Sequence, residues 1–470
     1  MRPLKIFLAS LGFRKSVLGT IPPLGIMYIA AYLRTKFNVE IRIVNQKINN
    51  MPDDELVKQA KEFGADVIGL SMLTTNAYSL PYTTRNLKAA LPDTLIVIGG
   101  PHVSAFGAKS LEGNLADVAV PYEGELAFEA VINAHFNGGN MAGVPGIFRR
   151  AEGTIVSNPG ITPFVENLDS LPFPAYDLVD LKPYWNVPAM TSLMRRKYVS
   201  LFTSRGCPFR CIYCHRIFGD RLRVHSAQRV IEEIKFYIRD YGVNDFEFHD
   251  DVFNHDKRRL FEICGLIAKL DSKVKLSFPN GLRFDELNTD SIDALTDAGI
   301  YHCACPLESG SPRIQKLIGK NLNIRKYLEN VKYMTSKRIF TLGFVMMGFP
   351  TETEEDLKQT IETACISRLH TATFFTLTLF PGTKIYDIVL KNNPGKLKNI
   401  NYDDNEYAHM KYNFSDVPDK EFFYYQRKAY RDFYMNPSRI FRITRDFRQT
   451  RSLPLFIPEY FKRLLKGISG

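Results

Sequence analysis

Short apolar runs rich in β-branched residues alternate with amphipathic stretches over the first 135 or so residues. Residues 5–10, 39–44, 66–71, 94–99 and 117–120 read as strands, and residues 22–36, 53–63, 79–91 and 124–136 as helices between them. Strands apolar along their whole length are buried on both faces. Alternation with amphipathic helices therefore predicts an α/β fold, a parallel sheet wound on both sides. In such sheets ligands bind beyond the carboxyl ends of the strands.

From 138 to 197 the pattern gives way to Gly- and Pro-rich sequence such as Leu171-Pro172-Phe173-Pro174, with one hairpin at 146–156. A second alternating series begins at residue 198, with strands at 198–203, 245–249, 275–278, 302–306, 341–347 and 372–377. Six strands separated by helices predict a partial (β/α)6 barrel with its chemistry at the C-terminal rim. The expected organisation is a doubly wound domain over 1–140, a linker over 141–197, the barrel over 198–390 and a helical, basic region over 391–470.

Composition adds limits. The chain has 470 residues, 45% of them hydrophobic, enough for two buried cores. Apolar runs such as 96–100 and 374–380 fall far short of the roughly 20 residues of a membrane-spanning helix. The first residues run into a strand instead of a signal-peptide core, so a cytoplasmic protein is expected. Seven cysteines, three clustered and four scattered, suit reduced thiols or metal ligands better than a disulfide framework. Net charge is +11, and residues 421–470 hold 11 Lys and Arg against 4 Asp and Glu. The excess is a local surface feature, not a basic domain.

The chemistry concentrates where the first strand of the second series ends, in Ser204-Arg205-Gly206-Cys207-Pro208-Phe209-Arg210-Cys211-Ile212-Tyr213-Cys214. Thiolates from Cys207, Cys211 and Cys214, at C-x3-C-x2-C spacing, can each take one iron of a four-iron cluster, which leaves the fourth iron open to a small chelating molecule. Two other metal readings compete. His215 could complete a Cys3His zinc site, although zinc ligands usually come as two separated pairs. Cys211-Ile212-Tyr213-Cys214-His215 also matches a haem-attachment string, which leaves Cys207 without a role. The other four cysteines read as packing residues.

This loop resembles that of the radical S-adenosylmethionine (SAM) superfamily. The resemblance implies that SAM chelates the open iron of a 4Fe-4S cluster and is cleaved to a 5′-deoxyadenosyl radical. It places Tyr213 near the adenine. Further barrel-rim segments agree in order: Asp250 after the second strand, Glu308 after the fourth, and Gly348 in Gly343-Phe344-Val345-Met346-Met347-Gly348-Phe349-Pro350 are the expected SAM contacts. Each has a local alternative. Adjacent acids at Asp250 and Asp251 could cap a helix, and Ser309 or Ser311, and Thr351 or Thr353, could do the same.

In the N-terminal series, Pro22-Pro23-Leu24-Gly25-Ile26, Gly69-Leu70-Ser71, Gly99-Gly100-Pro101-His102 and Glu123-Gly124-Glu125 resemble the cobalamin-binding branch of the same superfamily, and the likeness runs from about residue 4 to 390. It implies a B12 site that includes Ser71, Thr74, Gly99, Gly100, His102, Glu123 and Gly124. Small residues there suit close backbone approach. The Asp-x-His-x-x-Gly string that supplies a cobalt-ligating histidine in many cobalamin proteins is absent. A plain flavodoxin-like domain is the alternative.

The basic C-terminal stretch carries Arg439, Arg442, Arg445 and Arg448 at three-residue intervals, and 458–466 reads as a short amphipathic helix. A solvated basic face is the favoured reading. Peripheral membrane contact is the second, and would go with an apolar or lipid-like substrate. No nucleic-acid module accompanies the charge, so no nucleic-acid partner is expected. The function implied by the resemblance is a cobalamin-dependent radical SAM methyltransferase acting on an unactivated carbon of a small molecule through methylcobalamin, with a reductant such as flavodoxin or ferredoxin. A radical SAM cyclase or oxidoreductase, in which cobalamin donates no methyl, is the alternative enzyme. A non-catalytic cobalamin or cluster sensor is the remote one.

Overall fold

The structure, a computed structural model, describes residues 2–12, 20–187, 196–398, 400–402 and 412–447, together with 457, 458, 461 and 465. The chain divides into two compact units. One comprises Met1–Val187, His215–Val224 and Asn401–Asp404, and the other Pro188–Cys214, His225–Ile400 and Asn405–Gly470.

The first unit is built on strands β1 (Leu4–Ser10), β2 (Val39–Asn45), β3 (Val67–Ser71), β4 (Leu95–Gly99) and β5 (Val118–Val120), all parallel, in the order β2-β1-β3-β4-β5. Alternate residues of β1 feed opposite layers: Phe7 and Ala9 pack with Leu56, Leu87 and Ile96, while Ile6 and Leu8 pack with Ala30, Leu33 and Val131. Burying each such large aliphatic side chain contributes about 1.5–3 kcal/mol. Helices α1 (Leu24–Arg34) and α6 (Glu125–Phe136) contribute to one layer, and α3 (Asp53–Phe63) and α4 (Leu80–Ala90) to the other. Short helices α2 (Gln46–Asn49), α5 (Pro101–Phe106) and α7 (Lys182–Trp185) complete the unit. Helix α3 shows why the pattern was readable: three acids occupy its first turn, complementing the dipole, and Gly64 at φ +68° ends it.

Residues 141–187, most of the stretch expected to be a linker, belong to this unit. Strands β6 (Phe148–Ala151) and β7 (Thr154–Ser157) form the expected hairpin, and β6 pairs antiparallel with β5, extending the sheet to seven strands. Arg150 fixes the addition by donating to the carbonyls of Ala116 (2.9 Å) and Asn114 (2.6 Å). Two short added strands flanked by Gly and Pro carry too little apolar pattern to be read as part of a sheet.

The second unit contains six parallel strands, β8 (Val199–Leu201), β11 (Asp245–Phe248), β12 (Lys275–Phe278), β13 (Ile300–Glu308), β14 (Phe340–Met347) and β15 (Thr371–Thr376), adjacent in chain order. The two-residue segments β9 (Ser204–Arg205) and β10 (Arg223–Val224) lie between β8 and β11 in sequence. Helices α8 (Ala227–Tyr241), α9 (Lys257–Ala268), α10 (Thr289–Asp297), α11 (Pro312–Leu317), α12 (Ile324–Ser336), α13 (Glu354–Ile366) and α14 (Lys384–Asn392) connect or follow these strands. This is the expected open (β/α)6 arrangement. No helix among the described residues is long and apolar enough to cross a membrane.

Helices α15 (Asp419–Tyr434) and α16 (Pro437–Asp446) close the second unit. Here the solvated basic face is corrected in part. Arg439 is 1% exposed, and its guanidinium donates to the carbonyls of Phe433 (3.0 Å), Cys365 (2.9 Å), Ser367 (3.2 Å) and Leu369. Buried Arg442 also reaches Leu369 O. The carbonyls left open where α13 ends need donors, and these arginines supply them. A three-residue charge repeat does not distinguish such inward-facing arginines from solvated ones. Arg448 and most of 458–466 lie outside the described residues.

Candidate active site

Gly206, at φ +87°, turns the chain out of β9 into the cysteine loop, and its N–H donates to Asp251 Oδ2 at 3.2 Å. Several backbone and ring contacts hold the loop. Ile212 N–H donates to Ile318 O (2.9 Å), and Ile212 O accepts from Ile385 N–H (3.1 Å). Gly319 is required at the α11–α12 turn, where φ is +68° and a Cβ would stand 2.9 Å from Arg210 O. The Phe209 ring lies under the Arg283 guanidinium at 4.1 Å and against His255 edge-on at 5.4 Å.

Cys207, Cys211 and Cys214 carry free thiols close enough to feel one another's charge. Burial pushes the Cys207 thiol up to about 11 and raises Cys211 as well. A bound metal would displace these protons. Among the described residues no group of three His, Cys, Asp or Glu is arranged around a single metal ion. Three neighbouring thiols on one loop fit a cluster that takes one thiolate per iron. Two cations that sequence reasoning missed, Arg283 and Lys320, act on Cys211. They come from a loop and a turn distant in sequence, and no local spacing announces them.

The four expected SAM contacts lie in the same unit but differ in their surroundings. Tyr213 packs on Phe349, with ring centroids 6.1 Å apart, beside the core of Ile314, Ile318 and Leu377. Glu308 stands at the end of β13 in a left-handed conformation (φ +62°), is buried, and pairs with Lys320 Nζ at 3.1 Å. Its charge is felt at Tyr213 and Cys211. Gly348, at φ +89°, donates its N–H to Glu352 Oε2 at 2.6 Å, and a Cβ there would meet the Phe422 ring at 3.2 Å. Asp250 is engaged within the fold: its carboxylate accepts from Thr203 N–H (2.6 Å) and Ser204 Oγ (2.9 Å), anchoring the strand that leads into the cysteine loop.

In the first unit, the residues expected around cobalamin all lie at carboxyl ends of strands. Ser71 ends β3, Thr74 follows it, Gly99 ends β4, and Gly100 and His102 open α5. Gly100, at φ +91°, brings the β4 end against β3: a Cβ would stand 2.8 Å from Ser71 Oγ. The His102 ring stacks on Phe106 at 4.6 Å, and burial lowers its pKa to about 4, so it is neutral at pH 7. Its Nδ1 is buried with no hydrogen-bond partner among the described residues. After β5, Glu123 makes a buried two-pronged ion pair with Arg223 (2.5 and 3.0 Å) and accepts from Val165 N–H at 2.9 Å. Gly124 admits α1, because a Cβ there would stand 2.5 Å from Ile29 Cδ1. The edge also exposes two large apolar side chains, Leu73 (43%) and Tyr122 (40%). Exposed apolar surface beside an orphaned buried polar nitrogen fits a broad macrocycle that is apolar across its face and fringed with amides.

Comparison with known proteins identifies both domains. Residues 12–132 match the B12 binding domain and residues 201–364 the radical SAM superfamily. The chain is 31% identical over 385 residues to the uncharacterized methyltransferase PH0819 of Pyrococcus horikoshii, covering 81% of each protein. It is 26% identical over 415 residues to the cytidylyl-2-hydroxyethylphosphonate methyltransferase of Streptomyces wedmorensis, covering 77% of each. Among solved structures, the radical SAM methyltransferase TsrM of Kitasatospora setae superposes with a TM-score of 0.68 at 16% identity, over 83% of this chain and 76% of that one, which shows the shared fold. The chain therefore belongs to the cobalamin-binding branch of the radical SAM enzymes, with a 4Fe-4S cluster, SAM and cobalamin as its cofactors.

Proposed function

We propose that this enzyme methylates an unactivated carbon of a small, largely apolar molecule. The observation that carries the reading is the three-thiol loop following the first strand of an open parallel sheet, in a chain that also has a B12 domain and a methyltransferase relative over four-fifths of its length. When bound, the cluster with SAM supplies a radical able to remove an unactivated hydrogen, and cobalamin supplies the methyl group.

The chain's own residues bind, orient and exclude water. Tyr213, Glu308 and Gly348 are the proposed SAM contacts. Asp250 supports them by fixing the end of β8. For cobalamin the proposed contacts are Ser71, Thr74, Gly99, Gly100 and His102, with Glu123 and Gly124 shaping the β5 end through the Arg223 pair and the approach of α1.

The apolar substrate is supported by the half-buried apolar face of the six-stranded sheet. Along β14, Phe340, Leu342, Phe344 and Met346 are half-buried while Thr341, Gly343, Val345 and Met347 are buried. On β15 the buried Phe374 packs against Tyr430 and Phe433 of α15, so half-buried Phe375 points to the other face, where it meets Phe344 at 5.8 Å. In register with this face on β8, β11 and β12 are Ser200, Glu247 and Ser277. Glu247 is already paired with Arg196 and His249. Leu342, Phe344, Met346 and Phe375 are thus the apolar residues of this face that would bear on a substrate's carbon skeleton.

An external one-electron donor of the flavodoxin or ferredoxin kind completes the proposal. The test is anaerobic reconstitution with iron, sulfide and cobalamin, followed by SAM and a reductant. Release of 5′-deoxyadenosine is expected from the wild type and none from Cys207→Ser, Cys211→Ser or Cys214→Ser. Wild-type protein that holds iron yet releases none would sink the reading.

A further inference from the structure

Tyr122 is in an unusual position. It follows β5 at the carboxyl edge of the first unit's sheet, its backbone is left-handed (φ +61°), and the residue is 40% exposed. A bulky residue seldom adopts that conformation, which glycine or asparagine takes without cost. An exposed tyrosine gains little from the fold in return. Such conformations persist where the surroundings over-determine them, and they cluster at functional sites.

The surroundings here do so. Pro121 precedes Tyr122, and the buried Glu123–Arg223 pair follows it, with Arg223 also donating to Val165 O at 2.7 Å. The Tyr122 N–H donates to Ser104 Oγ at 2.9 Å, on the helix that carries His102. The ring rests on Phe164 at 5.8 Å, and Phe164 is itself backed by the Arg223 guanidinium at 4.8 Å and by Gly219. The phenol ring is thus braced on its Phe164 side in a residue that stays partly exposed, at the strand ends where doubly wound sheets take their ligands.

We infer that Tyr122 is a cobalamin contact, its braced ring bearing on the cofactor, and that its strained backbone is retained for that contact. The inference rests on the assignment of cobalamin to this unit. It predicts a separation that a merely structural residue would not show. Tyr122→Gly and Tyr122→Asn both relieve the backbone, so the cofactor-free variants should melt at or above the wild-type temperature. Hydroxocobalamin titration followed by the visible spectrum should nonetheless show about tenfold weaker binding for both, and less cobalt retained per chain after desalting.

Binding by both variants within twofold of wild type would overturn the role of Tyr122 while leaving the cofactor assignment intact. So would a melting temperature several degrees below wild type in both cofactor-free variants, since the ring would then be serving the fold. Wild-type protein that takes up no cobalamin overturns the assignment itself, and the inference with it.

Discussion

Phe209 lies within the cysteine loop, and it is held between groups that approach from elsewhere in the second unit: Arg283 over its face at 4.1 Å and His255 at its edge at 5.4 Å. Arg283 is fixed in turn by Asp285 (2.8 Å) and Lys320 O (2.6 Å). A cation–π contact of this kind contributes about 1 kcal/mol, or roughly fivefold in the population of loops ready for iron. Phe209→Leu is therefore expected to retain several-fold less iron and sulfide per chain in the presence of a competing chelator, with an unchanged circular dichroism spectrum. Phe209→Tyr should behave as wild type. The cysteines were legible because three thiols within eight residues announce themselves by spacing alone. Arg283, Lys320 and the preference of Asp251 for the Gly206 amide were not, since each depends on which strand ends come together in space. For the same reason the pairing of Glu123 with Arg223, 100 residues further along the chain, was not legible.

At the scale of elements, the turn from β14 into α13 shows both what local sequence reveals and what it hides. Thr353 caps α13 in a reciprocal box with Asp356, and Ser311 caps α11, both among the residues the sequence offered for these roles. The two acids after β11 do not cap the next helix; Asp256 does. Glu352, in the same turn as Thr353, is fully buried. One carboxyl oxygen accepts from Gly348 and Phe349 N–H, and the other has no partner among the described residues. Burial pushes its pKa up from 4.5 to about 8, so the acid is mostly neutral at pH 7. Because the folded state holds this proton more tightly than the unfolded chain, the associated stability is complete below pH 4.5 and is lost as pH rises through about 8. At about 1.4 kcal/mol per pKa unit the change amounts to several kcal/mol. Urea unfolding should accordingly show a decline between pH 5 and 8 that Glu352→Gln removes, since a glutamine keeps the acceptor and never ionises. An equal slope in the variant would assign the decline to other groups. Periodicity predicts where this turn falls, but a glutamate beside a helix cap reads as a solvated first-turn acid, and only the packed structure reveals its burial.

For the whole molecule, the order of segments was the legible feature. A doubly wound α/β series followed by a six-strand series with its thiols after the first strand fixes which cofactor goes to which unit. Each unit has its own sheet and its own apolar core, so removing one set of ligands should leave the other unit folded. Cys211→Ser protein is therefore expected to lose iron and keep cobalamin at the wild-type ratio. The chemistry is then decided by the product. Replacing hydrogen by methyl adds about 14 mass units per turnover, and a trideuteromethyl label on SAM adds about three more. Cyclisation or oxidation carries no label and lowers the mass by about two units for each pair of hydrogens removed. A product carrying the label, formed by wild type and absent with Cys211→Ser despite its full cobalamin content, is the outcome expected of a methyltransferase that needs both cofactors. An unlabelled product that still requires Cys211 would make the chain a radical cyclase or oxidase. A labelled product that persists without iron would remove the cluster from the reaction.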